Sequence, residues 1–367
     1  MILHIIGHTM YTTDLYSFVN TNFNKDEHIF ITGKAYDDSK VSPIGLNRKP
    51  GDVKIIAPKN IYQYIKALNR ADAIILHGFF SFKHVALISR KKEWLKKTCW
   101  VIWGGDIYQH NKVKRKLVDK ITEKVKIRYA PEFGFIAPLV EKDLPLAKEW
   151  YHVTGQVHYV SYPVPLQRPG VLDGILQTGL QKNKNKNDEI NILIGNSATE
   201  TNCHFEALDL LSQYKDENIK LYIPLSYGFS GYEKYAEKVT EYASKIFGRN
   251  KIVPILDKMD GTAYTELLSK MDVAVFYNNR QQAMGNIAIL IAAGAKVFIR
   301  DDTSMWGHYI QRGYHLENAF DIVQDSYEQF LTYEPKRKEN NMAMIKSYLD
   351  ISIVKTKWEK LFIAMKG

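Results

Sequence analysis

Cysteine is almost missing. Cys99 and Cys203 are the only two in 367 residues, which excludes a disulfide framework and a zinc site built on cysteines. Long apolar runs are missing too. The longest stretch that is both uncharged and strongly apolar runs only from Asn286 to Ala295. A helix needs about 20 such residues to cross a bilayer, so no spanning helix is expected. No basic leader precedes the first apolar run, Ile2–Ile6, and no small-residue cleavage site follows it. The start therefore reads as a strand of a protein that stays inside the cell. No His/Cys metal spacing occurs, and no Asp-x-Asp stands at a strand end; Asp301 and Asp302 are adjacent and point in different directions. Without Gly-Lys-Ser/Thr, the nucleotide P-loop is absent as well.

What is present is a soluble α/β composition. The chain is 45% hydrophobic and 25% charged, which excludes disordered and fibrous classes. Its length is more than twice the roughly 150 residues of one domain, so two domains are expected. The net charge is +10 and lopsided: residues 1–165 hold 25 Lys+Arg against 15 Asp+Glu, while residues 166–367 hold 25 of each. Two stretches carry much of the excess, 83–97 and 112–128. Both space their apolar residues helically: Val85, Leu87, Ile88, Trp94 and Leu95 in one, Val113, Leu117, Val118, Ile121 and Val125 in the other. Either alone reads as a solvated helix face. Together, opposite a neutral half, they point to an anionic phosphate surface, a membrane before nucleic acid. No helix-turn-helix, zinc-finger or RNP-type signature speaks for nucleic acid, and none is expected as a partner.

Short apolar runs alternate with helical patterns. In the first half the strand candidates are Ile2–Ile6, His28–Thr32, Val53–Ile56, Ala73–His77, Thr98–Trp103, Lys126–Ala130, Phe133–Ile136 and Val157–Val160. In the second they are Ile190–Ile194, Ile219–Pro224, Lys251–Ile255, Val273–Phe276 and Lys296–Ile299. Such alternation predicts two doubly wound parallel sheets, 1–165 and 190–339. The prolines at 163, 165 and 169 and the polar tract Gln181–Glu189 make 166–189 a linker, and 340–367 reads as helices packing back on the first domain. Ligands of such sheets bind at the carboxyl ends of the strands, facing a cleft between the domains.

Three strand ends carry polar chemistry. After Ile194 come Gly195, Asn196, Ser197, Ala198, Thr199, Glu200, Thr201 and Asn202. Glycine lets backbone approach an anion, and free N–H groups at a helix start would hold phosphate. Helix capping by Ser197, Thr199, Thr201 and Asn202 is the alternative. After Phe276 come Tyr277, Arg280, Gln281, Gln282, Gly285 and Asn286. Arg280 offers a planar fork to phosphate oxygens, and the amides suit sugar hydroxyl or acetamido groups. In the first domain Trp103-Gly104-Gly105-Asp106 ends a strand; Asp106 is the candidate base, with a turn cap as its structural alternative, and His8 is the reserve. Tyr227 and Leu256 follow two further strands and could touch the diphosphate, the sugar or a nucleobase edge.

Trp103-Gly-Gly-Asp-Ile-Tyr108 within Trp100–Tyr108, Gly195-Asn-Ser followed by Asn202-x-His204-x-Glu206-Ala-Leu, and Arg280-Gln-Gln-x-x-Gly285 together resemble glycosyltransferase family 56. The resemblance runs from the first strand to about Trp306. It implies a GT-B fold and a hexosyltransferase that needs no metal and no cofactor. It also implies a dTDP-sugar donor of N-acetylfucosamine type, held by the second domain. The acceptor would be an undecaprenyl-diphosphate-linked saccharide, and the enzyme a peripheral one on the cytoplasmic face of the bacterial inner membrane, in common-antigen or O-antigen synthesis. The rival from another class is a non-catalytic nucleotide-sugar or polysaccharide-binding protein of the same fold.

Overall fold

The computed structural model describes residues 1–7, 10–32, 53–56, 58, 60–112, 116–168, 170–228 and 231–367. The chain divides into two compact units, Met1–Val164 with Ile351–Gly367, and Pro165–Asp350. Each is a parallel sheet wound with helices.

The first unit orders its strands β3-β2-β1-β4-β5-β6-β7. They are β1 (Ile2–Ile6), β2 (His28–Ile31), β3 (Lys54–Ile56), β4 (Ala73–His77), β5 (Thr98–Ile102), β6 (Phe135–Pro138) and β7 (Gln156–Val157). Every residue of β1, β4 and β5 is buried, as expected of strands covered on both faces. One face packs Leu3, Ile5, Ile74, Leu76, Trp100 and Ile102. The other packs Ile2, Phe30, Ile75 and Val101 beneath Val354, Trp358, Leu361 and Phe362 of the C-terminal helix Ile351–Lys366. Strand order reverses between β1 and β4, which opens a crevice at their carboxyl ends.

Lys126–Ala130 is not a strand. Lys126–Tyr129 is the last turn of helix Leu117–Tyr129. Its alternating Lys-Val-Lys-Ile-Arg-Tyr mimics a period of two, but tertiary contacts decide. The buried Lys126 ammonium donates to the Asp106 carbonyl at 2.5 Å and sits over the rings of Phe79, Trp100 and Tyr151. The same helix inverts the expected amphipathicity. Thr122, Glu123 and Lys126 face inward, while Leu117, Val118 and Ile121 are exposed. Residues 113–115 of that basic stretch lie outside the described residues. In 83–97 the expected apolar set Val85, Leu87, Ile88, Trp94 and Leu95 is buried, in two short helices rather than one.

The second unit orders β8 (Ile190–Ile194), β9 (Ile219–Pro224), β10 (Ile252–Ile255), β11 (Val273–Phe276), β12 (Lys296–Ile299) and β13 (Glu317–Asn318) as β10-β9-β8-β11-β12-β13. The long apolar run is its central helix, Met284–Ala292, with Ile287–Ala292 buried throughout. Within 166–189 stands helix Val171–Gln181. It packs so closely on the chain at Ala292–Ala293 that a Cβ on Gly179 would lie 2.7 Å from the Ala293 carbonyl carbon. Helix Pro335–Tyr348 belongs to this unit, and only the chain from Ile351 returns to the first. Among the described residues no helix is long and apolar enough to cross a membrane.

Candidate functional site

The second sheet reverses its strand order between β8 and β11, so the loops after these strands share one edge. Gly195 N donates to Val275 O at 3.0 Å, and Asn279 N donates to Thr201 O at 3.0 Å. Gly195 takes φ +66°, and a Cβ there would stand 2.7 Å from Asn202 Oδ1 and 2.8 Å from His204 Nε2. Only glycine fits without strain.

Asn202 organises the loop. Its Oδ1 accepts from Asn196 N at 2.9 Å, and its Nδ2 donates to Ser197 O at 2.8 Å and to Thr199 Oγ1 at 2.8 Å. Hydroxyl contacts link Ser197 to Thr199 and Thr199 to Thr201, and Thr201 donates to Gln282 Oε1 at 3.0 Å. Asn278 Nδ2 approaches Asn196 Oδ1 and Asn202 Oδ1, both at 3.4 Å. The capping alternative for these residues therefore falls away. Helix His204–Leu211 starts at Cys203 in a left-handed conformation, with no side-chain cap. The polar side chains instead bind the two loops together.

Among the described residues, four buried polar atoms at this site have no hydrogen-bond partner: Asn278 Oδ1, Gln281 Oε1, Gln282 Nε2 and His204 Nε2. Unsatisfied groups of this kind cost about 1–3 kcal/mol each unless a ligand or water meets them. Asn196 Nδ2 donates to the Tyr227 hydroxyl at 3.0 Å, and Ala198 N donates to Tyr227 O at 2.7 Å, which brings the loop after β9 to the same place. The Tyr227 hydroxyl is raised above its ordinary value by loss of water; the Asn196 bond and the Arg280 charge offset part of this. Arg280 is half-buried, with Nη1 donating to Gln281 O at 2.8 Å.

Gly195, Asn196, Ser197, Asn202, Tyr227, Arg280, Gln281 and Gln282 thus assemble. Gly285 and Asn286 lie in the first turn of the central helix, where Asn286 donates to the Tyr264 hydroxyl at 2.9 Å. Tyr277 turns toward Phe320 and the Arg300 guanidinium. Leu256 lines a cavity of about 810 Å³ along helix Tyr232–Phe247 that none of the other site residues line. Asn278, Thr199, Thr201 and His204 join the network without having been singled out as ligands. Their position just past β8 and β11 was the available signal. Burial lowers His204 to about 4, so it is neutral near pH 7.

In the first unit Asp106 has a different job from the general base. It is wholly buried, and four donors saturate its carboxylate: Phe79 N at 2.8 Å and Trp100 Nε1 at 2.7 Å on Oδ2, Trp103 N at 2.9 Å and Ile107 N at 3.0 Å on Oδ1. It buckles the ends of β4 and β5 together. His8, the reserve base, lies outside the described residues.

A row of side chains crosses the buried face beside it. Trp103 Nε1 donates to the Tyr162 hydroxyl at 2.9 Å, and Tyr162 meets His77 Nδ1. His77 Nε2 meets His4 Nδ1 at 3.0 Å, and His4 Nε2 meets His28 Nδ1 at 3.0 Å. Each step moves one strand over and two residues along, from the carboxyl edge at β4 to the amino edge at β2. Burial lowers all three histidines, His28 to about 4 and His77 to about 3, with His4 also pushed down by its two neighbours. Among the described residues no group of three or more His, Cys, Asp or Glu could hold a metal ion.

The model of one protein family, described as 4-alpha-L-fucosyltransferase, glycosyl transferase group 56, matches residues 19–313. Solved structures align over the full chain. A glycosyltransferase from Rickettsia africae ESF-5 superposes with a TM-score of 0.65 at 12% identity, covering 99% of this chain and 98% of that one. WaaG, a glycosyltransferase involved in lipopolysaccharide biosynthesis, gives 0.63 at 11% identity over all of both chains. Sucrose-phosphate synthase from Thermosynechococcus elongatus gives 0.65 at 11% identity, with 99% and 98% covered. At these identities the likeness concerns the fold, two Rossmann-like units of the GT-B kind.

Proposed function

The chain belongs to the 4-alpha-L-fucosyltransferase family, glycosyl transferase group 56, a family of hexosyltransferases, and on that premise we propose what it transfers and where. The donor is a dTDP-linked deoxy-acetamido sugar of N-acetylfucosamine type. The acceptor is a saccharide on undecaprenyl diphosphate, in common-antigen or O-antigen synthesis at the cytoplasmic face of the inner membrane. The observation that carries the donor half is the polar cradle after β8 and β11. Its interior is amide, hydroxyl and the His204 imidazole, four of its buried polar atoms want a partner among the described residues, and Arg280 stands beside it, half-buried.

In the reaction the bond from the sugar's anomeric carbon to the diphosphate oxygen breaks. A bond to the acceptor oxygen forms, and the acceptor hydroxyl releases its proton. Negative charge gathers on the departing diphosphate. Arg280 and the loop donors meet that charge without a metal, most strongly as it develops. The unpartnered amide atoms Gln281 Oε1 and Gln282 Nε2 suit the acetamido and hydroxyl groups of the sugar.

Membrane docking is supported by helix Leu117–Tyr129. Exposed Leu117, Val118, Ile121 and Ile127 are interleaved with exposed Lys116, Lys120, Lys124 and Arg128, the make-up of a helix that lies in an anionic interface.

Thermal shift with dTDP, UDP and GDP tests the donor. Preferential stabilisation by dTDP supports the reading, because a ligand bound only by the folded state raises stability by mass action. Arg280→Ala is expected to lose most of that stabilisation, on the order of 2 kcal/mol for a charged hydrogen-bond partner. A wild-type response in this variant refutes the anion role. Release of free nucleoside diphosphate only when acceptor is present separates transfer from mere binding.

A further inference from the structure

The three central strands of the first sheet, β1, β4 and β5, each run into glycine at the carboxyl edge: Gly7, Gly78 and Gly104-Gly105. Phe80 lies across the gap at the last two, Gly78 and Gly105. A Cβ on Gly78 would run into Phe80 Cε2, and one on Gly105 would stand 3.5 Å from Phe80 Cε1. Gly78 also takes φ +77°, so the turn that lays the ring down is one that side-chain-bearing residues rarely adopt. The ring is 46% exposed all the same. Trp103 meets it edge-on, with centroids 6.1 Å apart and planes at 75°. Trp103 is itself held, its backbone N–H by Asp106 and its indole N–H by Tyr162.

We propose that Phe80 and Trp103 form a stacking platform for the apolar face of a pyranose ring of a saccharide ligand. The proposal rests on the transferase reading and assigns the first unit its acceptor contact. A pyranose has one face of C–H bonds and a rim of hydroxyls. An exposed aromatic face attracts the C–H bonds through its negative π surface. The side-chain-free strand ends beside it leave backbone groups within reach of the rim. The place is the carboxyl ends of β4 and β5, the edge of the sheet where folds of this type bind ligands and one strand from the point where strand order reverses. A lipid chain would use the same ring, and the test separates the two.

The test uses the full chain as wild type, Phe80→Ala and Phe80→Tyr. Phe80 is exposed, so both variants are expected to fold; near-ultraviolet circular dichroism checks this. Saturation-transfer NMR is run with methyl N-acetyl-β-glucosaminide as the probe. Transfer concentrated on the C–H protons of one face is expected in wild type. It should weaken on the order of tenfold in Phe80→Ala and return in Phe80→Tyr. With a lipid-linked acceptor, the same variants should raise and restore acceptor KM while kcat changes little. Equal transfer in Phe80→Ala overturns the platform, as does no transfer in wild type. Loss of binding to phosphatidylglycerol vesicles with an unchanged glycoside signal overturns it too, by assigning the ring to lipid. Stabilisation by dTDP, UDP and GDP is measured in parallel. Stabilisation by none of the three in wild type counts against the proposed donor cradle, while the glycoside arm still decides the platform.

Discussion

Four donors converge on Asp106, two on each oxygen. Asparagine would turn an NH2 group against two of them. Asp106→Asn is therefore expected to lower stability by several kcal/mol, at about 1.5–3 kcal/mol for each hydrogen bond to a charged group, while turnover per folded molecule persists at low temperature. Urea unfolding and assays on the folded fraction check this. Full stability with lost turnover would return the residue to proton transfer. The sequence places Asp106 at a strand end but says nothing of its partners. Three are backbone N–H groups and the fourth, Trp100, looks like a plain core residue. Gly195 and Arg280 were legible for the opposite reason, since strand alternation alone puts their loops on one edge.

At the scale of elements, helix Leu117–Tyr129 carries the clearest consequence. Because Leu117 is 73% and Val118 59% exposed, polar substitutions there remove no core packing. A Leu117→Ser, Val118→Ser double variant is expected to keep its unfolding midpoint and to lose several-fold in sedimentation with phosphatidylglycerol vesicles. A large loss of stability with unchanged sedimentation would mean that the residues are core after all. Strands β1, β4, β8, β9, β11 and β12 coincide with their apolar runs residue for residue. Continuous burial leaves no other pattern for a central parallel strand. The edges were harder. Lys126–Ala130 alternated like a strand yet closes a helix, and β13 is two residues long with nothing in its composition to announce it.

For the whole molecule, protons and charge set the sensitivities. His4, His28 and His77 titrate in the folded chain well below the ordinary 6.5. Between 6.5 and about 4 the unfolded chain binds more protons than the folded one, so stability falls as pH drops through that window. Above 6.5 their contribution is complete. The groups facing the row are Tyr162, Cys99 and Asp106 at one end, Tyr16 alongside, and Glu27, Lys366 and the amino terminus at the other. A urea midpoint followed by tryptophan fluorescence should drop steadily from pH 7 to pH 4.5. A flat profile would contradict a neutral histidine row. The +10 charge, all of it carried by residues 1–165, adds a salt dependence: vesicle binding should weaken from 0.05 to 0.5 M salt as the Debye length shrinks.

The histidine face is covered by Trp358 and Phe362, which stand near the very end of the chain. A polypeptide is made from its amino end, and its first 164 residues leave the ribosome long before these two rings exist. The earlier-made sheet therefore waits half-clad, while Pro165–Asp350 is being made, for the helix that covers it, the stage at which a nascent chain leans most on chaperones.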